Sequence, residues 1–257
     1  MAKEGKMKIV IIGGVAGGAS AAARARRLSE SAEIVILEKG ADVSFANCGL
    51  PYHVGGEISQ RRQLLLQTPE SLHSRLNLDV RVRHEAISVD PQDRSVEVKR
   101  HRDGSNYRES YDHLIIATGA HPLIPPIDGR ERDGVFSLRD LEDMDRIIAW
   151  QSKLLAQADG RAGRAVVVGA GFIGLEMAEQ LHRLGMKITV VEAADQVLPP
   201  LDGEMASLIQ AELNDHEVTV ELSEFVASIT DNPDAAVGNV ITKSGKSFPA
   251  DLVILSV

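Results

Sequence analysis

Cys48 is the one thiol among 257 residues, and it lies in the stretch SFANCGLPY, between Asn47 and a Gly-Leu-Pro turn. A lone cysteine has three common uses: a small buried hydrophobe, a metal ligand or a redox nucleophile. A metal site needs clustered Cys and His partners, and His53 alone does not supply them, so no metal is expected. The surrounding segment is polar and punctuated by Gly49 and Pro51, unlike the apolar periodic run that a core cysteine occupies. Those two residues predict a turn entering a helix, whose N-terminal amides favour thiolate. With no second cysteine, a reactive Cys48 must cycle through a mixed disulfide, a persulfide or a sulfenic acid.

Two glycine-rich turns carry the second chemistry. Gly169, Gly171 and Gly174 form a complete G-x-G-x-x-G, in which the first glycine makes the tight turn, the second admits a pyrophosphate and the third lets helix and strand pack closely. Amides at the following helix N-terminus then face phosphate. Glu192 closes the next apolar run, where a carboxylate binds ribose hydroxyls and repels a 2′-phosphate. Ala193 and Ala194 follow it, not arginine, so NADH is expected in preference to NADPH. The earlier turn has Gly13 and Gly18 at the first and third positions, Val15 at the second, and Glu38 closing its next run. Two such units predict two dinucleotides and electrons passing between them, with NADH and a flavin as the natural pair.

The elements that position these groups follow from pattern. Lys8–Gly40 and Arg164–Asp195 each read as an apolar β-branched run, a glycine-rich turn, a helix of small and apolar residues, and a second run ending in Glu. Runs without polar alternation fit parallel strands buried on both faces and joined by a helical crossover. Strands are predicted at 79–83, 86–90, 95–100 and 111–117, with a hairpin near Asp103-Gly104 and a short helix within 64–77. The proline-rich run from His121 to Gly129 reads as a domain boundary. A helix from Leu138 to about Ala158 and strands near 218–220, 226–230 and 240–242 complete the reading. A net charge of −9 argues against nucleic-acid or anionic-membrane partners. A single cysteine suits the cytoplasm, and the N-terminus MAKEGKMK reads as neither leader nor membrane span.

The paired units, the connector LIIATGAHPLIPP and the stretch SFANCGLPYHVGG resemble the pyridine nucleotide-disulfide oxidoreductases, over essentially the whole chain. The resemblance is most specific to the single-cysteine branch of coenzyme A-disulfide reductases and NADH-dependent persulfide or polysulfide reductases. It implies an α/β fold of two Rossmann-like FAD/NAD(P)-binding domains with central parallel sheets, the NAD domain inserted in the FAD domain. Residues 1–121 are then the first part of the FAD domain, with the substrate cysteine, and residues 122–257 the NAD domain. FAD contacts are expected at Gly13, Val15, Ala16, Gly18, Glu38, Lys39, Thr118 and Gly119. NADH contacts are expected at Gly169, Gly171, Phe172, Ile173, Gly174 and Glu192, with Glu176 placing the nicotinamide.

Cys48 is then the nucleophile, and coenzyme A meets Ser20, Arg24, Arg27, Ser44 and Asn47. The spacing of Ser20, Arg24 and Arg27 independently predicts one helical face, a basic stripe suited to phosphates. His53 stands where two-cysteine relatives carry the second thiol. Relatives return to the FAD domain and add a dimerisation domain, so this chain is expected to be an N-terminal portion of a homodimeric protein. An NADH oxidase or peroxidase using a cysteine sulfenic acid is the rival within the fold. A non-catalytic nucleotide-binding module is the rival outside enzymology.

Overall fold

A computed structural model describes residues 6–157 and 161–257. The first five residues, and the helix end expected at Ala158, lie outside them. The chain divides into two compact units, one made of Met1–Ala46 and Arg61–Ala120, the other of Asn47–Gln60 and His121–Val257.

In the first unit β1 (Lys8–Ile12), α1 (Gly17–Leu28) and β2 (Glu33–Glu38) form the expected crossover. The chain then contributes α2 (Leu50–Val54) to the second unit and returns for α3 (Pro69–Leu76), β3 (Asp79–Val82) and an antiparallel meander. The meander strands are β4 (His84–Asp90), β5 (Ser95–Arg100) and β6 (Asn106–Ser110), and β7 (His113–Ile116) follows. The parallel sheet runs β3-β2-β1-β7. Because strand side chains alternate between faces, Ile9, Ile11, Ile34 and Ile36 pack with Ala22, Leu72 and Leu78 on one side. Val10, Ile12, Val35 and Leu37 meet Val96 and Val98 of the meander on the other. Burial on both faces explains why β1 and β2 read as unbroken apolar runs.

The second unit repeats this plan with β8 (Val135–Phe136), α4 (Leu141–Gln157), β9 (Arg164–Val168), α5 (Phe172–Arg183) and β10 (Lys187–Val191). Next come α6 (Gly203–Asp215), β11 (Thr219–Glu221), the meander β12 (Val226–Thr230), β13 (Gly238–Thr242), β14 (Ser247–Ala250), and finally β15 (Leu252–Leu255). The sheet order is β11-β10-β9-β15-β8, all parallel.

The repetition reaches individual bonds. Asp112 accepts the Lys8 amide (2.6 Å), and Asp251 accepts that of Arg164 (3.0 Å). Ser44 N–H donates to the Gly14 carbonyl (3.0 Å) and Leu198 N–H to that of Ala170 (2.9 Å). Ser44 and Leu198 both sit in the left-handed region, at φ 47° and 45°.

Three elements go beyond the sequence reading. β8 has only two residues, too few for a period. α6 leaves Met205 and Leu208 more than half exposed, so its apolar residues do not form one stripe. β14 runs SFPA, where Pro249 lowers strand propensity but is tolerated at the sheet edge. α4 starts at Leu141, later than the expected Leu138, because the Asp140 carboxylate accepts the Asp143 amide (2.9 Å) as an N-cap.

Candidate functional site

Each parallel sheet ends in the glycine turn that opens its crossover helix. Gly13 has φ +96°, and a Cβ there would lie 2.2 Å from the Ala117 carbonyl oxygen; for Gly169 the values are +102° and 2.5 Å from that of Ser256. A Cβ on Gly18 or Gly174 would lie 1.7 or 2.0 Å from the carbonyl oxygen of the first glycine of its own turn. These four glycines are therefore required by the chain's own packing. Gly171 is different. Its φ is −75°, and a Cβ there meets nothing within 4 Å, so the protein itself leaves that space open. The N-cap residues of α1 and α5, Ala16 and Gly171, make no side-chain cap hydrogen bond. Open space beside uncapped amides at the start of a helix is what a dinucleotide pyrophosphate fits.

The strand-end glutamates are held alike. Glu38 Oε2 accepts the Gly14 amide (2.7 Å) and Oε1 that of Gly40 (2.8 Å). Glu192 Oε2 accepts the Ala170 amide (2.6 Å) and Oε1 that of Ala194 (2.7 Å). Each carboxylate thus clips its glycine turn to the loop after the next strand, and each oxygen keeps a second lone pair for a ribose hydroxyl. Lys39 follows Glu38 on the surface, and Thr118 and Gly119 (φ +68°) follow β7 beside the Gly13 turn. Phe172 and Ile173 are 62% and 48% exposed on the first turn of α5.

A groove of about 530 Å³ runs between α1 and α3 in the first unit. Ser20, Arg27 and Ser44 line it, with Val15 and Ala16 at the glycine-turn end. Arg24 does not. The α1 residue between Ser20 and Arg27 that faces the groove is Ala23, and Arg24 is exposed outside the lining. The sequence reading misses the second wall, where α3 and the residue preceding its N-cap present Gln67, Ser71 and Arg75. A signal for it is present in the sequence. Thr68 and Ser71 form a capping box that starts α3 at Pro69, and Ser71 and Arg75 are then one turn apart. Arg75 Nη1 lies 3.5 Å from Gln67 Oε1.

The second unit carries the counterpart groove between α5 and α6, of about 590 Å³. There Phe172, Leu175, Glu176, Glu179 and Leu198 replace small and polar groups with apolar and acidic ones. Burial, then the neighbouring Glu179 carboxylate, pushes the Glu176 carboxyl above its ordinary value.

Cys48 is exposed on a 3₁₀ turn over Asn47–Gly49, immediately before α2. Exposure removes the buried-hydrophobe reading, and among the described residues no cluster of His, Cys, Asp and Glu could hold a metal. Pro51 lies in the first turn of α2, as the sequence predicts. Residues 47–60 belong to the second unit, where the sequence reading assigns them to the first domain, because α2 packs on α5 and α4. Cys48 therefore shares a unit with Tyr52 and Glu176, while Ser20, Arg27 and Ser44 line the first unit's groove. The Tyr52 phenol is pushed up first by the Glu176 carboxylate, then by burial, with Glu179, Glu57 and Cys48 adding to it. His53 serves the local fold, since its Nδ1–H donates to the Ile58 carbonyl and closes the loop after α2. No helix among the described residues is long and apolar enough to cross a membrane.

Residues 7–257 match the family described as pyridine nucleotide-disulphide oxidoreductase. The chain is 36% identical over 248 residues to coenzyme A disulfide reductase of Staphylococcus aureus, covering 96% of this chain and 53% of the relative. It thus spans about half the length of the curated relatives it matches. Among solved structures it is similar to reduced Bacillus anthracis CoADR-RHD, with 42% identity and a TM-score of 0.91 over 98% of this chain and 44% of that one. A NAD-dependent persulfide reductase from A. fulgidus gives 39% identity and a TM-score of 0.89, over 98% of this chain and 45% of the other.

Proposed function

The chain belongs to the pyridine nucleotide-disulphide oxidoreductase family, and we propose that it reduces coenzyme A disulfide, or a related persulfide or polysulfide, with NADH through FAD and Cys48. The observation that carries this reading is the exposed thiol of Cys48, alone in the sequence and seated on its own turn. Within this sequence the thiol has no disulfide partner, so a reactive Cys48 takes its partner atom, sulfur in this reading and oxygen in the oxidase rival, from the substrate.

The first unit would hold FAD through Gly13, Val15, Ala16, Gly18, Glu38, Lys39, Thr118 and Gly119. When bound, FAD supplies two-electron transfer between nicotinamide and the sulfur–sulfur bond. The second unit would hold NADH through Gly169, Gly171, Phe172, Ile173, Gly174 and Glu192, with Glu176 beside the nicotinamide. The clipped Glu192 carboxylate disfavours a 2′-phosphate, which is why NADH is assigned.

Ser20, Arg27 and Ser44, with Asn47, are assigned to the coenzyme A moiety; the groove's guanidiniums suit its phosphates. Arg24 is left out because it does not line the groove. Cys48 thiolate attacks one sulfur of the disulfide, the substrate bond breaks, a mixed disulfide forms and the first thiolate leaves and takes a proton. Two electrons from NADH and one further proton then return Cys48 to thiolate and release the second thiol. The sum is one NADH and one proton consumed for each disulfide turned into two thiols.

NADH oxidation with coenzyme A disulfide, polysulfide or oxygen alone tests the reading. Sulfur-dependent turnover that vanishes in Cys48→Ser supports it. Turnover with oxygen alone assigns the oxidase rival, and sulfur turnover unchanged in Cys48→Ser refutes the role of the thiol.

A further inference from the structure

We propose that Glu57, Gln180 and Arg183 form a polar latch that fixes the Cys48 segment on α5 and so positions the thiol; this rests on Cys48 being the nucleophile. Gln180 is fully buried on α5, a depth at which apolar side chains are the rule. Its Nε2–H donates to Glu57 Oε1 at 2.9 Å, and Arg183 Nη1 lies 2.8 Å from the same oxygen. The other end of the amide, Oε1, has no partner among the described residues. It lies against Gly55, where an added Cβ would come within 1.9 Å of it. An orphaned buried acceptor is unfavourable, so a methionine at this position would pack at least as well. Stability alone therefore does not account for Gln180.

Orientation does account for it. The segment after Cys48 is stiff: Gly55 N–H bonds the Pro51 carbonyl (2.9 Å), Gly56 that of His53 (3.1 Å) and Ile58 that of Tyr52 (3.1 Å). His53 Nδ1–H bonds the Ile58 carbonyl. Such a knot moves as one body. Leu50 and Val54, 2% and 4% exposed, press α2 onto its neighbours, but apolar contacts resist separation more than rotation. Directional bonds from two residues of α5 to Glu57 stop the rotation, and Cys48 lies on the turn that leads directly into α2. Glu57, Gln180 and Arg183 are positioning residues, and they tie the thiol to the helix whose first turn is assigned to NADH.

Because the chain has one thiol, a nitroxide placed on Cys48 reports its motion directly. In Gln180→Met and Glu57→Ala the population of fast-moving label is expected to rise roughly tenfold, the factor that losing about 1.4 kcal/mol of hydrogen bonding gives. Glu57→Gln keeps an acceptor and is expected to restore most of the immobilisation. Gln180→Met is expected to keep or raise the thermal midpoint, since the orphaned oxygen is gone. Label motion unchanged in both loosening variants overturns the latch, as does a lowered midpoint with motion unchanged, the mark of a purely structural role. Sulfur turnover intact in Cys48→Ser would instead sink the assignment of the thiol while leaving the label result standing.

Discussion

Gly171→Ala separates a glycine kept for the protein from one kept for a ligand. The added methyl meets nothing within 4 Å, and φ −75° is open to alanine. Alanine is a poorer N-cap than glycine by several tenths of a kcal/mol, while the narrower unfolded ensemble returns about 0.4–1 kcal/mol. The two nearly cancel, so the unfolding free energy is expected to move by less than about 0.5 kcal/mol. In the proposed assignment of NADH to this turn, the same methyl stands where the pyrophosphate would approach the amides of α5. Losing one or two hydrogen bonds to a charged group, at about 1.5–3 kcal/mol each, weakens NADH roughly tenfold or more. Gly174→Ala is the control. Its Cβ would lie 2.0 Å from the Gly169 carbonyl oxygen, a backbone clash that lowers the midpoint whether or not nucleotide is present. Denaturant melts and a fluorescence titration with NADH read both quantities. An unchanged NADH affinity in Gly171→Ala would refute the placement of the pyrophosphate, and a collapsed midpoint would refute the packing argument.

Replacing Glu192 by Ala together with Ala193→Arg removes the carboxylate and adds a phosphate partner. The NADPH-to-NADH affinity ratio is expected to rise at least about tenfold, read by parallel titrations, and an unmoved ratio would refute the ribose assignment. Arg27→Ala and Arg75→Ala are each expected to raise KM for coenzyme A disulfide roughly tenfold, with KM for NADH unchanged and the penalty shrinking in high salt. Burial pushes the Asp251 carboxyl up, but the Arg164 guanidinium, joined by the Ala236 and Arg164 amides, outweighs it and holds the group below its usual range. Its stabilisation is therefore complete above the ordinary carboxylate range and lost as pH falls through the lowered value. Asp251→Ala, which leaves the partly buried Arg164 guanidinium without its carboxylate and with the Asp234 carbonyl as its acceptor, is expected to cost about 3 kcal/mol at pH 7 and less at pH 2, measured by urea melts at both.

Much of this molecule is legible locally. β-branched runs free of polar residues, glycines at fixed offsets and a glutamate at the next strand end are short-range patterns, and each is enforced by a close approach or by two-faced burial. That is why β1, α1, β2 and β9, α5, β10 stand where the pattern puts them, and why the fourfold requirement at Gly13, Gly18, Gly169 and Gly174 agrees with it. That Cys48 is the one thiol of the sequence also needed nothing beyond the residues.

Tertiary structure decided what faces what. Helical spacing places Arg24 about 40° from Ser20 and Arg27 about 20° from it on the other side, a difference too small to choose the groove face without the opposing helix. α3 supplied that choice, along with Gln67, Ser71 and Arg75, from a segment far along the chain. The segment bearing Cys48 belongs by sequence position to the first unit, yet Leu50, Val54 and Glu57 find their partners on the second. Burial and ion pairing act through space, and only the folded chain shows which side chains they bring together.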